Sequence, residues 1–234
     1  MRLFIAAPLH TGASVPATPE QAHHMANVMR RSAGEIMRVF NGTDGEWRAT
    51  YRPIGRGKAM LDVGEQIRPQ APEPDLWLAF APLKRDATDL VVQKATELGA
   101  AAILPVITRR TIAQRVNLER FAAIATEAAE QCERLTLPRI APPVSLEALL
   151  AQWPAGRPLL AAVERADVGP IRPRIAAGLL VGPEGGYAPE ELELISRRPF
   201  VEAVTLGPRI LRAETACIVG LALLQAQGTG AATD

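Results

Sequence analysis

The sequence predicts an α/β chain in two parts: a small β-rich module first, then a parallel sheet with helices on both faces. Three observations predict it. Residues 1–67 hold short apolar runs broken by Asn41-Gly42, Asp44-Gly45, Gly55 and Gly57, the punctuation of hairpins. From Leu76 onward, apolar runs alternate with stretches of helical period. Between them, Arg68-Pro-Gln-Ala-Pro-Glu-Pro-Asp75 is too proline-rich for a helix or a central strand and reads as a linker over 68–75.

The elements follow in order. Residues 2–6 predict a strand. Thr18 caps a helix running to Arg30, with Pro19 at its first position and Gln21 completing a capping box. Strands follow over 36–40, 46–54 and 58–65. In the second part, 76–81 is a strand, and 86–98 is a helix with Ala87, Leu90, Val91, Ala95 and Leu98 on its buried face and Gly99 ending it. Residues 101–107 form the next strand. Asn117 caps a helix whose Leu118, Phe121, Ala122, Ala125, Ala128, Ala129 and Cys132 make one stripe. A short helix at 145–152, a strand at 158–163, a strand at 178–181, a helix at 189–197 and a strand at 201–206 complete the alternation. Residues 214–226 form a nearly all-apolar closing helix, and 229–234 a flexible tail.

Composition narrows the function. The 234 residues suffice for one large or two small domains, and 48% hydrophobic content with 4% aromatics predicts an aliphatic core. A formal net charge of +1 excludes a protein that holds nucleic acid by bulk charge alone. Residues 1–68 carry nine Lys/Arg and six Asp/Glu, a modestly basic N-terminal part. Cys132 and Cys217 lie far apart with no metal-ligand spacing, so they read as core thiols in a reducing, cytoplasmic setting, and no metal is expected. Neither a signal peptide nor a membrane span is expected.

The chemistry concentrates in two stretches, Gly178-Leu-Leu-Val-Gly-Pro-Glu-Gly-Gly186 and Leu206-Gly-Pro-Arg-Ile-Leu-Arg-Ala-Glu-Thr-Ala216. Each ends an apolar run in a glycine turn and leads towards a helix. Strands of this kind end at the crevice where α/β proteins bind ligands. The phosphate loop and the dinucleotide glycine fingerprint are both missing. A pocket made this way suits a flat, polar-edged ligand held by backbone groups. Arg109, Arg110 and Arg115 form a basic loop before the Asn117 helix and read as phosphate contacts.

In their wording the two stretches resemble the RsmE-type 16S rRNA (uracil-N3) methyltransferases of the SPOUT superfamily. The resemblance extends to Gln93-Lys-Ala-Thr-Glu-Leu-Gly99, Glu130-Gln-Cys-Glu-Arg134, His24, Val28-Met-Arg30 and Gly34-Glu35. It implies a SPOUT-type C-terminal domain over 76–228 with a deep trefoil knot, and a PUA-like or OB-like RNA-recognition domain over 1–67. It also implies a homodimer, S-adenosyl-L-methionine as cofactor and the 16S rRNA of the small ribosomal subunit as substrate.

The resemblance assigns the cofactor pocket to Val181, Gly182, Pro183, Glu184 and Gly185, then Leu206, Gly207, Ile210, Leu211 and Arg212, with Thr215 behind them and Ala161, Ala162 and Val163 as a third wall. Uracil N3 carries a proton at neutral pH, so methylation needs a base or cations that favour the anion. Arg30 and Arg212 are the cations, and Glu184 and Glu214 the carboxylates nearest the glycine loops. Arg2, His24, Arg30, Arg109, Arg110 and Arg115 make the RNA-facing set. Two other functions remain open at this point: ribose 2′-O-methylation, and a non-catalytic RNA-binding assembly factor.

Overall fold

The structure, a computed structural model, describes residues 1–113, 115–163 and 168–226. The expected tail at 229–234 and the end of the second domain at 228 lie outside the described residues. The chain divides into two compact units, Met1–Pro72 with Ala129–Leu137, and Glu73–Ala128 with Pro138 onward.

The N-terminal unit is a five-stranded sheet of β1 (Arg2–Phe4), β2 (Ser14–Pro16), β3 (Ile36–Phe40), β4 (Glu46–Gly55) and β5 (Lys58–Arg68), in the order β1-β3-β4-β5-β2. The hairpin β3–β4 turns where Asn-Gly and Asp-Gly foretold it, with Val39 opposite Trp47. Gly45 sits at φ +81°, and a Cβ there would run into the Arg68 carbonyl, so the turn requires glycine.

Helix α1 (Pro19–His23) begins as expected. The Gln21 N–H donates to Thr18 Oγ1 at 3.2 Å, and the Thr18 N–H donates to Gln21 Oε1 at 3.0 Å. It does not run on to Arg30 as a regular helix. Over His24–Val28 it widens into a π turn, with the Met29 N–H reaching the His24 carbonyl at 2.9 Å, and Arg30 leaves it at φ +50°. The wide turn keeps Met25 fully buried while Val28 and Met29 face solvent.

Arg2, read from the sequence as an RNA contact, is instead buried. Its guanidinium donates to Glu46 Oε1 at 2.9 Å, to the Ala129 carbonyl at 2.5 Å and to the Arg134 carbonyl at 2.6 Å, and lies 3.6 Å from the centre of the Phe40 ring. Glu46 is fully buried, and Arg68 also reaches it, at 3.1 Å. A buried carboxylate needs such partners, and a guanidinium bonded three ways inside the fold is a structural group.

The second unit is a parallel sheet of β6 (Asp75–Phe80), β7 (Ala102–Ile107), β8 (Arg139–Ile140), β9 (Val144–Ser145), β10 (Leu159–Ala162), β11 (Ala176–Val181) and β12 (Val201–Val204). Its order is β12-β10-β11-β6-β7-β8, with β9 pairing the far end of β7. Side chains alternate between two apolar layers. Leu179 and Val181 join the layer shared with α2 (Arg85–Glu97), α3 (Leu118–Cys132) and α6 (Ala213–Gln225), while Leu180 joins that shared with α4 (Leu146–Gln152) and α5 (Pro189–Ser196). Gly220 lets α6 lie close on β11: a Cβ there would stand 3.1 Å from Leu179 Cδ1.

The buried face of α2 differs from the expected stripe. Leu90 is 37% exposed, and Thr88 and Thr96 are buried beside Val91, Val92 and Ala95. The Thr88 hydroxyl donates to the Leu83 carbonyl and the Thr96 hydroxyl to the Val92 carbonyl, each at 2.9 Å. With those bonds satisfied, each threonine presents a methyl to the core. Among the described residues, no helix is long and apolar enough to cross a membrane.

Candidate active site

Strand β10 is the point at which the chain changes direction across the sheet: β11 lies on one side of it and β12 on the other. Both pairings are parallel, and Ala162 is level with Val181 on one side and Val204 on the other. The loops leaving these strands therefore converge at one end of the sheet, where open α/β sheets bind ligands. They enclose a cleft of about 1070 Å³. Small-molecule pockets commonly hold roughly 300–1,000 Å³, so there is room for a nucleoside cofactor and a second base.

Most of the predicted pocket residues line this cleft: Ala162, Val163, Val181, Gly182, Pro183, Glu184 and Gly185 on one side, and Leu206, Gly207, Ile210, Leu211 and Arg212 on the other. Ala161 does not, because it is fully buried with its side chain in the opposite apolar layer. Thr215 and Glu214 sit in the first turn of α6, partly buried and outside the lining. Arg30 belongs to the N-terminal unit, as does His24, which is exposed on the π turn. Arg109, Arg110 and Arg115 are exposed, and Arg109 Nη1 lies 3.6 Å from Glu190. Arg110, read as a phosphate contact, lines the cleft and donates from Nη1 to the Gly185 carbonyl at 2.7 Å.

The first loop is preformed. The Gly186 N–H closes a turn on the Pro183 carbonyl at 2.8 Å, with Gly186 at φ +66°. Gly182 lies on the ring of Tyr187: a Cβ there would be 3.0 Å from the ring carbon that bears the hydroxyl. Tyr187 is 8% exposed, lines the cleft, and its hydroxyl has no hydrogen-bond partner among the described residues. Burial pushes the Tyr187 phenol far above its ordinary pKa, so it stays neutral.

The second loop is held more lightly. The Thr205 N–H reaches the Gly169 carbonyl at 3.1 Å, and the Thr205 hydroxyl accepts from the Gly207 N–H at 3.2 Å. Gly207 stands at φ +122°, a region open to glycine. Among the described residues nothing pairs with the N–H groups of Leu206, Ile210 or Leu211. Arg212 is the N-cap of α6, with its carbonyl accepting the Ala216 N–H at 2.8 Å.

These features fit S-adenosylmethionine. The cleft offers an aliphatic floor, unspent backbone donors for a purine edge, and glycine at the one position where a Cβ would press on Tyr187. Among the described residues there is no cluster of three or more His, Cys, Asp or Glu that could hold a metal ion. Sequence reasoning missed Tyr187 and the cleft position of Arg110. Tyr187 follows the Gly182-Pro-Glu-Gly-Gly186 turn directly, and that adjacency was the available signal.

Comparison with known proteins agrees with this geometry. A family model described as an RNA methyltransferase domain matches residues 70–225, and one described as an RNA methyltransferase PUA domain matches residues 17–63. The ribosomal RNA small subunit methyltransferase E of Rickettsia conorii is 34% identical over 220 residues, covering 91% of this chain and 89% of the relative. Its Synechocystis counterpart is 34% identical over 239 residues, covering 96% and 77%. Among solved structures, a Legionella pneumophila methyltransferase in complex with the cofactor SAM superposes at TM-score 0.86 with 30% identity, covering 96% of each chain. The Neisseria gonorrhoeae ribosomal RNA small subunit methyltransferase E bound to S-adenosyl methionine does so at 0.83, with the same identity and coverage. With the sheet, the cleft and both loops in place over nearly its whole length, this chain belongs to the ribosomal RNA small subunit methyltransferase E family.

Proposed function

We propose that the protein transfers a methyl group from S-adenosylmethionine to N3 of a uracil in the 16S rRNA of the small ribosomal subunit. The observation that carries the reading is the convergence of two glycine loops over the level ends of β10, β11 and β12. When bound, the cofactor supplies an electrophilic methyl on a sulfonium. The N–H groups of Leu206, Ile210 and Leu211 bind the adenine edge, and Ala162, Val181, Val204 and Ala216 cover its faces and exclude water.

The acceptor needs its N3 proton removed. Arg212, at the positive end of α6, holds the negative charge that develops on the uracil oxygens. Glu184 lines the cleft and takes the N3 proton. Glu214 complements the dipole of α6 from its first turn.

The N-terminal unit recognises rRNA through His24 and Arg30, with Arg109 and Arg115 meeting phosphates on the second unit. A trefoil knot and a homodimer complete the reading. Pairing of Pro170 with Thr205, and of the Arg174 N–H with the Leu224 carbonyl, brings the segment before β11 against the second loop and the end of α6, the neighbours that a knot of these elements would bring together. Leu90 and Leu223, on α2 and α6, each stay more than a third exposed, which supports burial against a second copy. Action on ribosomal RNA makes the cytoplasm its place of work.

The test is methyl transfer from labelled S-adenosylmethionine to isolated small ribosomal subunits, followed by nucleoside analysis. Label in 3-methyluridine is the expected result. Label in a 2′-O-methylated nucleoside would reject the acceptor atom. No transfer despite cofactor binding would favour a non-catalytic assembly factor.

A further inference from the structure

The hairpin of β4 and β5 outgrows the sheet it belongs to. On one side, β3 accompanies β4 only as far as Ile36 opposite Thr50. The Gly34 N–H on the Tyr51 carbonyl and the Tyr51 N–H on the Glu35 carbonyl, each at 2.9 Å, end that pairing. On the other side, the Ala17 N–H reaches the Ala59 carbonyl at 3.0 Å. Beyond these bonds every residue from 52 to 58 is exposed. The free ribbon runs roughly 10 Å past its neighbours, at about 3.3 Å per residue. Gly55, Arg56 and Gly57 turn it, all at positive φ.

The base of the ribbon is braced. Arg52 reaches diagonally across the ladder to Asp62, with Nε on Oδ2 at 2.7 Å and Nη2 on Oδ1 at 2.9 Å, and Nη2 also meets Ser14 Oγ at 3.0 Å. Further out the cations are free. Of the nine Lys/Arg in residues 1–68, six sit in ion pairs, while Arg30, Arg56 and Lys58 have no carboxylate partner among the described residues. The exposed large apolar side chains of this unit, Val28, Met29, Ile36 and Ile54, belong to the same end. Ile54 is on the ribbon, Ile36 stands beside its base, and the segment after Arg30 is fastened to it by the Gly34–Tyr51 bond.

We propose that this end of the N-terminal unit reads double-helical RNA: the β4–β5 ribbon lies across the minor groove of an rRNA helix, with Arg56 and Lys58 on its phosphates and Ile54 against its sugars. Unpaired cations with no acidic residue between Tyr51 and Leu61 suit a polyanion better than a protein surface of mixed charge. The minor groove of an RNA helix is wide and shallow enough to admit a ribbon, and its major groove is too narrow. Residues 52–58 hold no aromatic ring on which single-stranded bases could stack, so the ribbon reads shape. A chain of net charge +1 gains its hold on RNA by leaving a few cations unpaired in one place.

The inference rests on the rRNA reading given above, and the experiment separates the two. Arg56→Asn combined with Lys58→Ser removes both charges, and asparagine tolerates the left-handed backbone that Arg56 occupies at φ +50°. Binding to small ribosomal subunits, and to 16S rRNA stripped of protein, is measured across a salt series. With thermal unfolding unchanged, the double variant is expected to bind both about tenfold more weakly, the slope of log affinity against log salt falling by about 1–2. KM for subunits should rise by a similar factor while kcat and S-adenosylhomocysteine affinity stay within about twofold. Among short probes, an RNA hairpin duplex should show the loss and oligouridylate should not. Unchanged affinity and slope overturn the inference. So does an equal loss on oligouridylate, which would make the ribbon a single-strand contact. So does a loss on subunits that stripped rRNA does not share, which would make it a contact to a ribosomal protein. Affinity is read without turnover, so absence of 3-methyluridine with the unmodified protein would sink the reaction reading alone.

Discussion

The two loops that meet in the cleft reach it by different physics. The first is well braced: Gly182 rests on Tyr187, Gly186 closes a turn on Pro183, and Arg110 donates to the Gly185 carbonyl. The second is lightly tied by Thr205, and among the described residues nothing pairs with the N–H groups of Leu206, Ile210 or Leu211. One loop is held in shape by its own contacts and the other less so, while both keep backbone N–H groups with no partner among the described residues, Glu184 and Gly185 on the first and Leu206, Ile210 and Leu211 on the second. A cleft made of two loops of the second kind would pay for order at every binding event.

Substitutions can break this division, and the largest effect is expected on the second loop. Arg212→Ala should lower kcat by on the order of 10²–10³, the usual loss when a charge-stabilising group is removed, with little change in cofactor affinity. Single-turnover transfer alongside titration of S-adenosylhomocysteine checks this; undiminished transfer would remove Arg212 from the chemistry. On the first loop, Gly182→Ala forces a methyl against the Tyr187 ring and should cost about 1–3 kcal/mol of stability, with weakened cofactor binding. Thermal unfolding reads it, and an unchanged midpoint would mean that the loop is not rigid.

Gly207→Ala tests the lighter loop. At φ +122° an alanine is strained by roughly 1 kcal/mol or more, but an exposed loop can relax, so the loss in unfolding free energy should be smaller than for Gly182→Ala. The reverse order would contradict the comparison. Tyr187→Phe sharpens it with the smallest effect. Because the buried hydroxyl has no partner among the described residues, its removal should be neutral or stabilising by up to about 1 kcal/mol in the ligand-free protein. Clear destabilisation in a denaturant titration would show that the hydroxyl is bonded after all.

The parts of the fold visible in the sequence were those written locally. The Thr18–Gln21 capping box, the Asn-Gly hairpin and the strand–helix alternation after Leu76 all depend on neighbours a few residues apart. The three-residue β2 and the two-residue β8 and β9 are too short to show a period, and β2 is specified by its partner β5. The helical stripe misjudged Leu90 because Thr88 and Thr96 are buried through backbone bonds that hydropathy does not register. In the site, the glycine turns were legible as turns. The Arg110–Gly185 contact spans 75 positions and the Arg109–Glu191 contact 82, so neither leaves a local mark. Arg2 was misread for the same reason: its partners Ala129 and Arg134 lie more than a hundred residues away.

That Arg2 arrangement has a consequence for how the chain is made. The N-terminal unit includes Ala129–Leu137, and its small cluster of Phe40, Ala129 and Leu135, flanked by Phe4 and Leu137, needs residues from both stretches. Translation is vectorial, so Arg2 and Glu46 emerge long before the carbonyls of Ala129 and Arg134 exist. At roughly 5–20 residues per second, the interval from residue 72 to residue 137 lasts about 3–13 s. During it the first sheet waits, with Phe40 uncovered and a guanidinium–carboxylate pair only partly satisfied. The first unit therefore cannot finish when its own sheet has been made, because its last segment is encoded inside the sequence of the second.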